Sequence, residues 1–181
     1  MISLVFAVGE QGQFGHCGTM PWPHIREDMQ KFKDVTSKKV LIMGRGTFES
    51  LPSKLKDRMH IVLSSNPDSV TKSGEGPDVI SDDMGLINQM IEDNPETDFC
   101  VIGGPSMLYH FMSSGMVDEA HVTVISCATM PSKQFCDVNL DMGLVKEISG
   151  TMCIMDSQVL TTKEGLSVVY THFKKFKKES K

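Results

Sequence analysis

The chain reads as an α/β protein: a single-domain, three-layer fold with a central twisted, mostly parallel sheet, antiparallel C-terminal edge strands and helices on both faces. Three observations predict this. Four short apolar runs, Ile2–Val8, Val40–Met43, His60–Leu63 and Phe99–Ile102, show no polar alternation, as expected of strands buried on both faces. Helical patterns lie between them, and such βα alternation builds a parallel sheet clothed in helices. In the last third, strand patterns follow one another with no helix pattern between, which fits antiparallel strands added at one edge.

The elements can be taken in order. The first run stops at Gly9. Over residues 25–36, Ile25, Met29 and Phe32 recur at i, i+4 and i+7, and Val35 extends the stripe, so this segment is an amphipathic helix. Val40–Met43 ends at Gly44, and a short helix follows over 45–51. His60–Leu63 ends at Ser64-Ser65. A third helix covers 82–92, with Asp82 or Asp83 as its N-cap. Phe99–Ile102 ends at Gly103-Gly104 and leads into a helix over 105–113. His121–Ile125, Thr151–Leu160 and Leu166–Phe173 read as strands, and Gly74–Pro77 and Ala128–Gln134 as loops. There are no repeats and no linker. One domain therefore spans residues 1–181, with a short Lys-rich tail over about 174–181 (Lys174, Lys175, Lys177, Lys178, Lys181) that reads as solvated.

Composition narrows the function. The 181 residues are 40% hydrophobic, enough for a sizeable core, and the net charge of −5 argues against nucleic acid. The five cysteines, Cys17, Cys100, Cys127, Cys136 and Cys153, are widely spaced, with no CxxC and no histidine pair at ligand spacing. They read as thiols in a reducing, cytoplasmic setting, and no metal is expected. The N-terminal run is short and lacks the basic flank of a signal peptide, and no run has membrane-spanning length. The expectation is a soluble monomer without membrane or nucleic-acid partners.

One residue breaks the helical pattern of 25–36. Asp28 is three residues after Ile25 and four before Phe32, which puts a carboxylate on the apolar stripe; Glu27 is rotated away by about 100°. An acid on a core-facing stripe is costly unless it is paired or has chemistry to do. In an apolar cleft its pKa rises, which suits proton movement near neutral pH. A helix-start acid favoured by the macrodipole, or one satisfied by a threonine or backbone partner, would also account for it.

The strand ends carry the second signal. Gly103-Gly104 opens a helix after a buried strand, so backbone N–H groups can approach a pyrophosphate with no Cβ in the way. Gly44-Arg45-Gly46-Thr47 repeats the arrangement and adds a guanidinium and a hydroxyl. Ser64-Ser65-Asn66 supplies further donors. Three phosphate-friendly strand ends suggest an extended, multiply phosphorylated ligand such as a dinucleotide.

With these residues in hand the chain resembles dihydrofolate reductase over nearly its whole length. The similarity runs through Met-Ile-Ser-Leu-Val-Phe-Ala at the start, Phe14-Gly15, Met20-Pro21-Trp22, Asp28-Met29-Gln30-Lys31-Phe32 and Ile42-Met43-Gly44-Arg45-Gly46-Thr47-Phe48-Glu49-Ser50. It continues through Arg58 with His60–Ser65, Val101-Ile102-Gly103-Gly104 and Thr123. The resemblance implies reduction of 7,8-dihydrofolate to tetrahydrofolate by hydride transfer from NADPH, and sensitivity to antifolates. It gives Asp28 the pterin and support of its protonation, Thr123 a hydrogen bond to that carboxylate, Trp22 an ordered water and Met20 closure over the nicotinamide. Val5, Phe6, Ala7, Met29, Phe32, Ser50, Leu51, Leu55 and Ile102 would line the substrate pocket, and Arg58 would pair with the substrate's α-carboxylate.

For the cofactor, the resemblance assigns Arg45, Ser64 and Ser65 to the 2′-phosphate. Gly44, Thr47 and Gly103, Gly104, Pro105, Ser106, Met107 and Leu108 would take the diphosphate and nicotinamide ends. Ala7, Phe14, Gly15, Gly46, Leu63 and Asn66 complete the set. Leu108 stands where many members carry a tyrosine, and Tyr109 is one step on. Two other readings are a related NADPH-dependent reductase of riboflavin or pterin metabolism, and a non-catalytic, structural nucleotide-binding protein.

Overall fold

The structure, a computed structural model, describes residues 1–161 and 166–176. In chain order its elements are β1 (Ile2–Gly9), β2 (Gln13–Gly15), α1 (Arg26–Thr36), β3 (Val40–Gly44), α2 (Arg45–Ser50), β4 (Met59–Leu63), β5 (Val79–Ser81), α3 (Met84–Glu92), β6 (Phe99–Gly103), α4 (Pro105–Ser113), β7 (Glu119–Ser126), β8 (Val138–Asn139), α5 (Gly143–Thr151), β9 (Cys153–Thr161) and β10 (Ser167–Lys174). Eight strands form one mixed sheet in the order β5-β4-β3-β6-β1-β7-β10-β9, and β2 pairs with β8 separately.

Two compact units divide the chain: Met1–Val5 with Lys33–Met116, and Phe6–Phe32 with Val117–Lys181. The first holds the parallel part of the sheet. β3 pairs with β4 from Val40↔Met59 to Gly44↔Leu63, and β6 pairs with both β3 and the start of β1. Leu4, Leu41, Ile42, Met43, Val62 and Val101 are fully buried, which is why these runs carry no polar alternation. Asp83 caps α3, its carboxylate accepting from the Gly85 amide at 2.7 Å. The second unit holds the antiparallel strands, β10 between β7 and β9.

The fold class is as expected, with local corrections. Helix α5 lies where no helix was expected, and residue 151 ends it rather than starting a strand. Its buried stripe is Leu144 and Ile148 alone. Gly143, Gly150 and Thr151 are weak helix formers, so neither period nor propensity marks the segment. The strands β2, β5 and β8 have two or three residues each, too few to show a period. The loop expected over 128–134 runs into a 3₁₀ turn, Lys133–Phe135.

Lys174 is not part of a solvated tail. It is the last residue of β10, and its ammonium donates to Glu119 at 2.8 Å. Lys177, Lys178 and Lys181 lie outside the described residues. Among those described, no helix is long and apolar enough to cross a membrane, and the cysteines form no disulfide.

Candidate active site

In the unit of Phe6–Phe32 and Val117–Lys181, the first turn of α1 places Asp28 inside, 7% exposed, while Glu27 is half-buried. Burial pushes the Asp28 carboxyl above the usual aspartate range, and the hydrogen bond donated by the Thr123 hydroxyl pulls the other way. Thr123 comes from the middle of β7 and is itself buried. Desolvation keeps the proton within reach at higher pH, and the threonine fixes the carboxyl's orientation. Trp22 packs with Ile25, Ile125 and Val168, against which Ala7 lies half-buried. The Trp22 Nε1 is buried with no hydrogen-bond partner among the described residues. A buried indole donor of this kind is normally satisfied by ordered water or ligand. Phe6 is buried, Met29, Phe32, Phe14 and Gly15 are half-buried, and Met20 is 40% exposed.

In the other unit, the ends of β3 and β6 meet through glycine. Gly103 has φ of 128° and is joined to Gly104 by a cis peptide. A Cβ on Gly44 would lie 3.7 Å from Met107 Cγ and 3.8 Å from the Gly104 nitrogen, and one on Gly104 would lie 3.6 Å from Thr47 Oγ1. Side chains there would fill the space before the first turns of α2 and α4, neither of which carries a side-chain cap. The Met107 and Leu108 amides are spent on the Gly104 carbonyl, at 3.0 and 3.2 Å, and both side chains are core residues. Leu108 therefore offers a ligand nothing resembling a tyrosine, and Tyr109 is exposed. Ser106, at the second position of α4, is exposed.

Beyond β4, Ser64 and Asn66 build a turn. The Ser64 hydroxyl accepts from the Asn66 amide at 3.0 Å, and the Asn66 side chain accepts from the Asp68 amide at 3.1 Å. Ser65 stays exposed at the tip, and Leu63 is half-buried. Arg45 is exposed too, with Glu49 3.9 Å away. The Ser50 hydroxyl donates to the Thr47 carbonyl at 2.7 Å.

Arg58 is held by the main chain. Its Nε donates to the Thr36 carbonyl and hydroxyl at 3.0 and 3.1 Å, one terminal nitrogen donates to the Lys56 carbonyl at 3.0 Å, and the other donates to the Lys33 carbonyl at 3.1 Å. A guanidinium has five N–H groups, two on each terminal nitrogen, so these bonds leave one on each. Bidentate carboxylate binding by arginine uses two such N–H groups.

Sequence reasoning missed the part that His60 plays in the fold. Fully buried, it accepts the Leu55 amide on Nε2 at 3.1 Å, so its Nδ1 carries the proton toward Asp78 at 3.3 Å. Burial pushes its pKa down, against the pull of Asp78. With the Lys54–Asp78 bond at 2.6 Å, it fastens the segment that bears Leu55 and Arg58. A histidine inside an apolar strand run was the available signal. Val5 and Ile102 are buried, while Leu51, Leu55 and Pro105 are half-buried and Gly46 is exposed.

A mixed α/β sheet with glycine-opened helices and a buried, threonine-held acid fits the class of nucleotide-dependent reductases. The chain belongs to the dihydrofolate reductase family, whose model matches residues 1–149. It is 32% identical over 147 residues to dihydrofolate reductase type 9 of Escherichia coli, covering 80% of this chain and 78% of that one. With the Bacillus subtilis dihydrofolate reductase it shares 38% over 107 residues, covering 59% and 60%. A bifunctional dihydrofolate reductase-thymidylate synthase of Paramecium tetraurelia is 29% identical over 171 residues, and the match spans 94% of this chain but 34% of that protein. In fold, the chain matches an Enterococcus faecalis dihydrofolate reductase complexed with NADP(H) and RAB-propyl. The TM-score is 0.77 at 23% identity, covering 98% and 97% of the two chains.

Proposed function

We propose that this chain reduces 7,8-dihydrofolate to 5,6,7,8-tetrahydrofolate with NADPH, Asp28 binding the pterin and supporting its protonation. The observation that carries the reading is the desolvated Asp28 carboxyl, oriented by Thr123 on an adjoining element. The family membership of residues 1–149 supports the same chemistry. NADPH, when bound, supplies the hydride.

The chain's residues divide the remaining work. Asp28 holds a carboxyl against the pterin's amino edge, and burial, which raises its pKa, suits it to proton transfer. Trp22 Nε1 offers a donor to a water beside it. Phe6, Met29, Phe32, Leu51 and Leu55 exclude solvent from the ring, and Arg58 takes the tail carboxylate with its two remaining N–H groups. The glycine ends of β3 and β6 fit a diphosphate because no side chain fills the space before the helices. Met20 covers the nicotinamide. We place the enzyme in the cytoplasm as a monomer whose substrate site antifolates share. The test is loss of NADPH absorbance on adding dihydrofolate; a folded protein that leaves NADPH unchanged overturns the proposal.

Cofactor choice gives a second expectation. Arg45 and Ser65 are the exposed donors assigned to the 2′-phosphate. The exposed Arg45–Glu49 pair is weak and yields readily to a phosphate. A hydrogen bond to a charged group contributes about 1.5–3 kcal/mol, or roughly 10–100-fold in affinity. Arg45→Ala should erase most of the preference for NADPH over NADH, as measured by the two dissociation constants. Equal affinities for both cofactors in the unmutated protein would remove the assignment.

A further inference from the structure

The face of β7 that carries Thr123 also carries a cluster the reduction does not use. In the antiparallel register Glu119 lies opposite Lys174, His121 opposite His172 and Thr123 opposite Tyr170. Alternation puts these six side chains on one face. Glu119 is buried, and Lys174 holds its Oε1 at 2.8 Å. Its Oε2 faces the histidines, 3.4 Å from His172 Nε2 and 3.7 Å from His121 Nε2. Burial resists ionisation of Glu119, yet the Lys174 bond and charge, with both histidines, hold its carboxyl below the usual range. His121 Nδ1 lies 2.7 Å from the Tyr170 hydroxyl. His172 Nε2 is buried with no hydrogen-bond partner among the described residues.

We infer that Glu119 Oε2 and the Nε2 atoms of His121 and His172 form a site for one borderline divalent cation of the Zn²⁺, Co²⁺ or Ni²⁺ class. The three atoms lie within 4.8 Å of one another. Tetrahedral bonds of about 2.0–2.2 Å separate ligand atoms by about 3.3–3.6 Å. The His172–Glu119 distance already meets that spacing, and the His121–Glu119 distance is close to it. The rings are stacked, with centroids 4.3 Å apart and planes at 10°. Closing the third distance turns the His172 ring out of the stack, and its 24% side-chain exposure gives it room. Two imidazoles and one carboxylate suit these metals and leave a coordination position open. With Nε2 on a metal, His121 Nδ1–H can donate to the Tyr170 hydroxyl, which then serves as an outer partner. Lys174 occupies the other carboxylate oxygen and leaves Oε2 to the cation. The cation would thus clasp β7 to β10 one pair of residues away from Thr123.

Cobalt separates this site from a thiolate site. The other cluster with suitable atoms among the described residues, His16 with Cys17 and Asp137, would bind through sulfur. Titration of the full chain with Co²⁺ should give visible d–d absorption at one ion per chain, with no thiolate-to-cobalt charge-transfer band, and should raise the melting temperature. His172→Ala and Glu119→Gln should each lose affinity by more than the roughly 10–100-fold that an outer partner is worth. Cys17→Ser should bind as the parent does. Each variant is first melted without metal, and if one fails to fold the other decides. No binding by the parent, unchanged binding in a folded variant, or a charge-transfer band abolished by Cys17→Ser would each overturn the inference.

Discussion

Asp28→Asn should lower hydride transfer at neutral pH by roughly 10²–10⁴, the usual worth of a positioned acid or base. The neighbouring Glu27→Gln should stay within about threefold, as expected of a change away from the chemistry. The contrast follows from helix phase. Asp28 turns inward on α1 and takes the Thr123 hydrogen bond, whereas Glu27 keeps access to water. Solvent can protonate the substrate when acid is plentiful, so Asp28→Asn should regain rate as pH falls, until the fold itself fails. The pH–rate profiles of both variants check this. No acid rescue in Asp28→Asn would sink the proton-supply role, and a crippled Glu27→Gln would sink the assignment of the acid.

Arg58→Ala should weaken dihydrofolate binding by about 2–4 kcal/mol, the cost of leaving a largely buried partner of a hydrogen-bonded charge pair unpaired. The guanidinium is fixed in advance by the carbonyls of Lys33, Thr36 and Lys56, so the substrate bears little of the ordering cost. A pterin without the glutamate tail should be nearly indifferent to the substitution. Binding constants for the two ligands on parent and variant separate the possibilities. An equal loss for both would make Arg58 a brace for the end of α1 rather than a ligand contact.

What could be read beforehand follows from how each feature is encoded. The inward turn of Asp28 was legible because three apolar residues on the same face set the helix phase. The glycine strand ends were legible because glycine marks close approach. The bracing of Arg58 was not, because all but one of its partners are main-chain carbonyls, which any residue type supplies; the other is the Thr36 hydroxyl. The His60–Asp78 bond joins residues eighteen positions apart in sequence, and no local pattern announces it. Lys174 looked like tail because its neighbours are lysines, and only the register of β10 against β7 reveals Glu119 opposite. Helix α5 was hidden by its own glycines.

The burial of Asp28 also has a thermodynamic side. Its folded pKa lies above the unfolded value, so the native state keeps the proton longer than the unfolded chain does. As pH climbs from the ordinary aspartate value through the raised one, the folded chain must surrender that proton into a desolvated site, and stability falls. Asn at this position removes the slope. The Asp28→Asn protein should melt higher than its parent at neutral pH and converge with it in acid, which thermal melts across a pH series would show. The substitution that silences the enzyme would then be the one that hardens it, and a screen for heat tolerance alone would enrich dead variants at residue 28.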